Sequence, residues 1–426
     1  MSYRNIYSLR RSTQGHLRPS AQAEASRYPQ RGLKRAIQAA LLCAALGAGA
    51  EAAAANWEFA PRVVGGYRYS DNYRLDLPGG EIDVSGGELD GRFTVRTVDP
   101  RLQVELSPRV RATYFPDEPE EDSNDYSLHA SVADVTPRRR VGIVGDFSRE
   151  DVIRSELPDA ETGGDLGDPQ AGDAGRVLQR NRRNFLRIEP FFGYDVSQRH
   201  RVELNAHYLQ AEFDDQFAGA QEDFSELAGT VGFAFRYSER STLALRGVVS
   251  QYETSFKTDA YGGHAEWGHD FSPNSRMYIR LGAQQTEPED GSSDTNVIAG
   301  VGGRWTSPRN VLFLDVTRSV GPIAAGTVVE RHQFRVLVDH DVSPRLSLLL
   351  GVRASRDEDI EAVEALGTRP TREYAIAEAG FEWRILRAFA LTATYNYRWQ
   401  EYEDEPSDRT ANGFLIGLVY EPKRQE

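Results

Sequence analysis

Cysteine is nearly absent from this chain. A single Cys43 in 426 residues excludes an internal disulfide framework and a multi-cysteine zinc site. Lysine is almost as scarce, since beyond residue 55 the basic groups are forty Arg and two Lys. Long apolar runs are missing as well. No segment past the N-terminal region approaches 18 uncharged apolar residues, which excludes a transmembrane helix. A membrane is not thereby excluded, because a transmembrane strand needs only about 10 residues and turns alternate ones to lipid.

What recurs instead is a short turn. Its copies are Ser107-Pro108-Arg109, Thr136-Pro137-Arg138, Ser197-Gln198-Arg199, Ser238-Glu239-Arg240, Ser272-Pro273-Asn274, Ser307-Pro308-Arg309 and Ser343-Pro344-Arg345. Proline occupies the middle of five copies and presets φ for a tight turn. The copies start 29, 61, 41, 34, 35 and 36 residues apart, and each interval has room for two strands and a loop. The pattern predicts an all-β, antiparallel up-and-down barrel assembled hairpin by hairpin.

The N-terminal region supplies a destination. Arg31, Lys34 and Arg35 precede an apolar run from Ala36 to Ala50, and Ala53-Ala54-Ala55 forms a small-residue cleavage site. Residues 1–55 are read as a signal peptide with an extended basic region, 56–420 as the barrel, and 421–426 as a short periplasmic tail. Cys43 leaves with the leader. So do eight basic and two acidic groups, and the formal charge deepens from −14 to about −20.

Between the turns the alternation is clean. Val202, Leu204, Ala206 and Tyr208 share one face, and Arg201, Glu203, Asn205 and His207 the other. Leu391, Ala393, Tyr395, Tyr397 and Trp399 oppose Thr392, Thr394, Asn396 and Arg398 in the same way. Period 2 alone fits a soluble sandwich as well as a membrane barrel. Strands of about 10 to 16 residues exceed the usual 5 to 6 of soluble sheets. Tyr194, Tyr237, Phe271 and Trp305 sit beside the short turns, while Tyr252, Trp399 and Tyr402 approach the opposite rim, as membrane-interface girdles require. Acidic segments crowd the longer connections, as at Asp117–Asp125, Asp159–Asp173 and Glu401–Asp408. Eighteen transmembrane strands are expected, with sixteen as the alternative. The uncertain stretch is 87–106, taken as one strand bulged at Asp99-Pro100-Arg101.

The leader, Tyr67, Tyr69 and Asp71-Asn72 after the first strand, and the Ser-Pro-Arg turns together give the chain a resemblance. From about 57 to 420 it resembles the β-barrel porins of the second type, which include outer-membrane proteins encoded in exopolysaccharide-biosynthesis operons. That resemblance implies a barrel in the outer membrane of a Gram-negative bacterium. It also implies a link to polysaccharide and periplasmic export components, and insertion by the barrel-assembly machinery. Phe414, Ile416, Leu418 and Tyr420 make an aromatic-ended last strand of the kind that machinery recognises. The expected surroundings are outer-membrane lipid and lipopolysaccharide.

Polar strand faces predict the lumen. The pore-lining candidates are Arg92, Arg96, Arg187, Glu189, Arg201, Glu203, Arg236, Arg246, Arg276, Arg280, Arg304, Asp315, Arg331, Arg335, Asp339, Arg353, Glu378, Glu382 and Arg398. Two readings stay open. The arginines form ladders with carboxylates across strands, or they offer anions replaceable contacts along the pore. The 154–182 loop is read as a surface loop, with an inward plug as the other possibility. Its Asp165, Asp168 and Asp173 have oxygen-donor spacing but no EF-hand or nonapeptide pattern, so no metal and no cofactor is expected. His207 lacks a serine motif beside it, and His264 and His269, five apart, fall on opposite strand faces. His332 is read as an interfacial side chain. No phosphate loop, zinc spacing or nucleic-acid-binding pattern is present, so an enzyme is not expected. The expected function is a passive porin or conduit, for polysaccharide export or uptake of anionic sugars. The alternative is a non-conducting barrel that displays acidic loops for adhesion or as an anchor for a secretion complex.

Overall fold

A computed structural model describes residues 57–97, 99–155, 181–215, 221–254, 257–289, 291, 293–323, 327–360, 371–403 and 405–422. The leader and Asp165, Asp168 and Asp173 lie outside the described residues. Eighteen strands follow one another: β1 Trp57–Ser70, β2 Val84–Thr97, β3 Leu102–Tyr114, β4 Ser123–Val135, β5 Arg139–Asp151 and β6 Arg182–Asp195. They continue with β7 His200–Phe213, β8 Phe224–Arg236, β9 Ser241–Glu253, β10 Lys257–Ser272, β11 Ser275–Pro288 and β12 Asp294–Ser307. The last six are β13 Asn310–Ile323, β14 Thr327–Ser343, β15 Leu346–Asp359, β16 Arg372–Arg384, β17 Phe389–Tyr402 and β18 Arg409–Tyr420. Each pairs antiparallel with its sequence neighbours, and β1 closes on β18 from Val63 opposite Tyr420 to Ser70 opposite Gly413. Closure leaves no edge strand, so backbone groups are satisfied without water.

The outer face carries the apolar half of the alternation. Leu204, Val231, Leu245, Leu281, Leu350, Ile416 and Leu418 are exposed there. On β17 the opposite face buries Thr392, Thr394, Asn396, Arg398 and Gln400. Apolar outward and polar inward is the inverse of a soluble fold and suits a barrel in lipid. Tyr194, Tyr237 and Phe271 stand exposed beside the short turns as expected. Tyr252 and Tyr402 do not join the opposite girdle. Both point inward and are buried, because each shares the parity of a lumen residue on its own strand, Arg246 and Arg398 respectively.

The repeated turn now has a chemical reason. The leading hydroxyl accepts from backbone N–H groups just beyond it: Thr136 from Arg139, Ser197 from Arg199 and His200, Ser307 from Asn310, and Ser343 from Arg345 and Leu346, at 3.0–3.2 Å. Carbonyls in the turns accept in turn from the neighbouring hairpin. Arg138 receives Asp195 N–H, Arg199 receives Arg236, Arg240 receives Asp270, Arg309 receives Asp341 and Arg345 receives Arg384, all at 2.7–2.8 Å. The rim is stitched turn to turn.

One copy is no turn. Ser107-Pro108-Arg109 lies inside β3, and the real turn is Asp99-Pro100-Arg101, where Asp99 Oδ1 accepts from Arg101 N–H at 2.7 Å. The aspartate takes over the hydroxyl's task. Pro108 lacks an N–H, and the β2–β3 ladder accordingly skips from Arg92–Arg109 to Val95–Leu106. Ser107 Oγ instead meets Thr94 Oγ1 at 2.8 Å. The expected strand 87–106 is therefore two strands split by a turn. The total of eighteen survives because the misread copy and the missed turn cancel.

Candidate functional site

The lumen wall is a lattice of arginines and carboxylates placed by the inward parity of each strand. Arg96 donates to Glu58 at 2.6 Å, Arg187 to Asp146 at 2.9 Å and Arg201 to Asp195 at 2.8 Å. Arg246 lies 3.3 Å from both Glu203 and Glu266, and Arg280 shares Glu266 at 2.8 Å. Arg331 grips buried Asp357 through two bonds of 2.6 and 2.8 Å. Asp315, also buried, accepts from Arg335 at 2.8 Å and from the Tyr278 hydroxyl. Glu189 lies 3.1 Å from His207 Nδ1, and Glu382 takes Arg62 at 3.3 Å. Arg353 stacks its guanidinium 5.5 Å over the Tyr374 ring. Glu378 is buried against Gly351, where a Cβ would come within 2.6 Å of the carboxylate.

The remaining candidates are placed differently. Arg92 stands opposite Arg62 and Arg109. Asp339 lies near the short-turn rim, opposite Val311 and Leu349. Arg276 is 3.8 Å from Asp270, a loose contact. Arg236 and Arg304 form no ion pair among the described residues. Arg398 holds backbone. It is fully buried and donates at 3.0 Å to the backbone carbonyls of Asn72 and Tyr73. Of the two sequence readings, the cross-strand ladder accounts for most of these arginines.

A cavity of about 720 Å³ opens in the lumen towards the short-turn end. Six arginines line it, namely Arg199, Arg201, Arg236, Arg246, Arg276 and Arg280, against Asp195, Glu203, Glu239, Glu266 and Asp270. The balance is one positive charge. At the opposite end the lumen is packed. The first outer loop, 71–83, folds inward: Tyr73 and Ile82 join Val84, Phe115, Val152, Ile153, Phe185, Leu209, Phe213 and Phe224 in one apolar cluster. Leu75 within it is buried against Tyr374, Ile376 and Ala411 on the neighbouring wall formed by β16 and β18. Leu75 holds φ at +58°, a left-handed conformation that costs a leucine about 1–2 kcal/mol. Arg409 donates to the Leu75 carbonyl, and Asn72 bonds both Asp76 and Thr410. Gly86 makes room for this packing, since a Cβ there would sit 1.9 Å from the Tyr114 carbonyl oxygen. Burial lifts the Asp76 carboxyl above the usual carboxylate range, against the pull of Arg74 and Arg409.

Sequence reasoning missed one strong group. Arg68 pairs with buried Glu88, and Arg109 and Arg111 both bind buried Asp90, the latter at 2.8 Å. Reading Ser107-Pro108-Arg109 as a turn keeps Arg109 out of the lumen set, and Arg111 shares its inward parity on β3. Arg183, fully buried and 2.9 Å from Glu150, was also missed.

No family model and no curated protein matches the chain. Among solved structures it is similar to the outer membrane protein OpdK of Pseudomonas aeruginosa, at 10% identity and a TM-score of 0.45, covering 85% of this chain and 99% of OpdK. It is also similar to OpdO of the same organism (9%, TM-score 0.44, 86% and 97% covered) and to OccAB4 of Acinetobacter baumannii (8%, TM-score 0.42, 85% and 98% covered). The chain's own closure, even strand number and apolar outer face are those of an outer-membrane β-barrel.

Proposed function

We propose that this barrel is a passive outer-membrane conduit for small hydrophilic solutes, with a mild preference for anions. The observation that carries the reading is the charged cavity of about 720 Å³, in which six guanidinium groups meet five carboxylates. Arginine forks there give a passing carboxylate or phosphate bidentate yet exchangeable contacts. Mutual pairing neutralises most of the arginines, so the selectivity is expected to be modest. The packed outer mouth supports small cargo better than a polymer, and the polysaccharide link implied by the sequence resemblance draws no support from it.

That same packing favours a second reading, a closed barrel that displays its acidic outer connections to a partner without conducting. Single-channel recording of refolded protein in planar bilayers separates the two. Conductance steps with a reversal potential shifted towards the anion support the conduit. A cation-preferring pore removes the anion preference, and no current above background leaves the second reading.

A further inference from the structure

Glu330 and Glu358 are direct register partners on β14 and β15. Like charges at opposed positions repel, and nearby cationic side chains offset that repulsion only in part. Both share the lipid-facing parity and stand just beyond the apolar belt, where Phe334, Val336 and Val338 give way to His332 and Glu330. His332 Nε2 lies 2.7 Å from Glu330 Oε1, and one ligand atom from each of Glu330, His332 and Glu358 falls within 4.8 Å of the others. The carboxylates are also held from outside. Arg318 takes the second oxygen of Glu330 at 2.7 Å, and Arg356 takes Glu358 Oε1 at 2.7 Å while reaching Glu373 at 3.4 Å. Metal-ligating carboxylates are oriented by outer hydrogen bonds of this kind.

We propose that Glu330, His332 and Glu358 form a divalent transition-metal site on the outer face, at the height of the outer-leaflet headgroups. One imidazole and two carboxylates suit Zn²⁺ or Mn²⁺, whereas Ca²⁺ and Mg²⁺ favour oxygen alone. Two arginines against three glutamates give this patch one net negative charge from its permanently charged side chains, and a divalent ion reverses the sign. Metal–ligand bonds of about 2.0–2.2 Å require the three side chains to close in by rotating about their own torsions. Glu358 and His332, the more exposed members, have the room to do so, exchanging the Arg356 contact and the direct His332–Glu330 bond for the metal.

The test is calorimetric titration of untagged, refolded barrel in detergent with ZnCl₂. One equivalent is expected to bind, with an at least tenfold loss of affinity in both His332→Gln and Glu358→Gln. His207→Gln, which alters a lumen histidine, leaves binding unchanged. Heat-modifiable migration on gels reports that each variant is folded, and the second ligand variant decides if the first does not fold. Wild-type protein that binds no zinc, or ligand variants that bind it as wild type does, overturns the site.

Discussion

Arg398 is the residue on which the inward position of the 71–83 loop depends most directly. Its guanidinium, fully buried, donates to two consecutive loop carbonyls, Asn72 and Tyr73, at 3.0 Å each. Hydrogen bonds from a charged donor contribute about 1.5–3 kcal/mol apiece. Arg398→Met keeps the side-chain stem and removes both bonds, so the loop loses about 3 kcal/mol at the lower bound. A change of that size raises the opened population roughly 100-fold. Trypsin reads the population, because Arg74 sits within the loop and is protected there by Glu121. When reclosing is faster than cutting, cleavage tracks the equilibrium fraction open. Cleavage after Arg74, followed by fragment mass on folded barrels, is expected to speed up by roughly that factor. In planar bilayers the same variant is expected to show longer or larger openings. A rise below about threefold, with the barrel still heat-modifiable, refutes the idea that these two bonds hold the loop in.

Further consequences can be checked on the same preparations. Asp315→Ala removes the buried carboxylate that Arg335 and the Tyr278 hydroxyl share and is expected to cost about 3 kcal/mol, read as a marked drop in the temperature at which the barrel loses its compact gel mobility. Leu281→Arg places a charge on the lipid face near the middle of β11 and should cost about 2–4 kcal/mol of insertion free energy in vesicles, whereas Leu281→Val should be nearly silent. Burial disfavours the ionised Asp76 carboxyl, so its penalty is fully present above its raised folded pKa and disappears once the pH falls below the ordinary carboxylate value. Hydrogen-exchange protection of the 72–76 amides, corrected for intrinsic rates, should therefore rise on acidification in wild type and stay flat in Asp76→Asn.

Strand number, closure and the inward or outward sense of nearly every strand were legible because one alternation and one turn chemistry repeat around the barrel. The limits have equally local causes. Ser107-Pro108-Arg109 matches the turn by composition, but a turn depends on where the leading hydroxyl finds its N–H groups, and Asp99 supplies an equivalent oxygen from another residue type. That equivalence hid Arg109. The loop packed in the outer mouth was invisible for a different reason. Tyr73, Phe115 and Phe224 come from separate connections and strand ends, and no period links them. Tyr252 and Tyr402 show the same difficulty, since an aromatic near a rim has the same identity whether its parity points to lipid or to lumen.

The stitching of each turn to the next hairpin bears on how barrels of this kind change size. A turn carbonyl such as that of Arg199 or Arg309 needs only some N–H at the foot of the adjacent strand, whichever hairpin supplies it. A duplicated or deleted hairpin therefore finds the same bonds waiting on both sides, while a single added strand would leave its foot on the wrong rim. Growth by pairs is the step that this chemistry tolerates. Descendants of one ancestral barrel can thus differ in girth and still keep the turn, long after the strands between the copies have lost any trace of common descent.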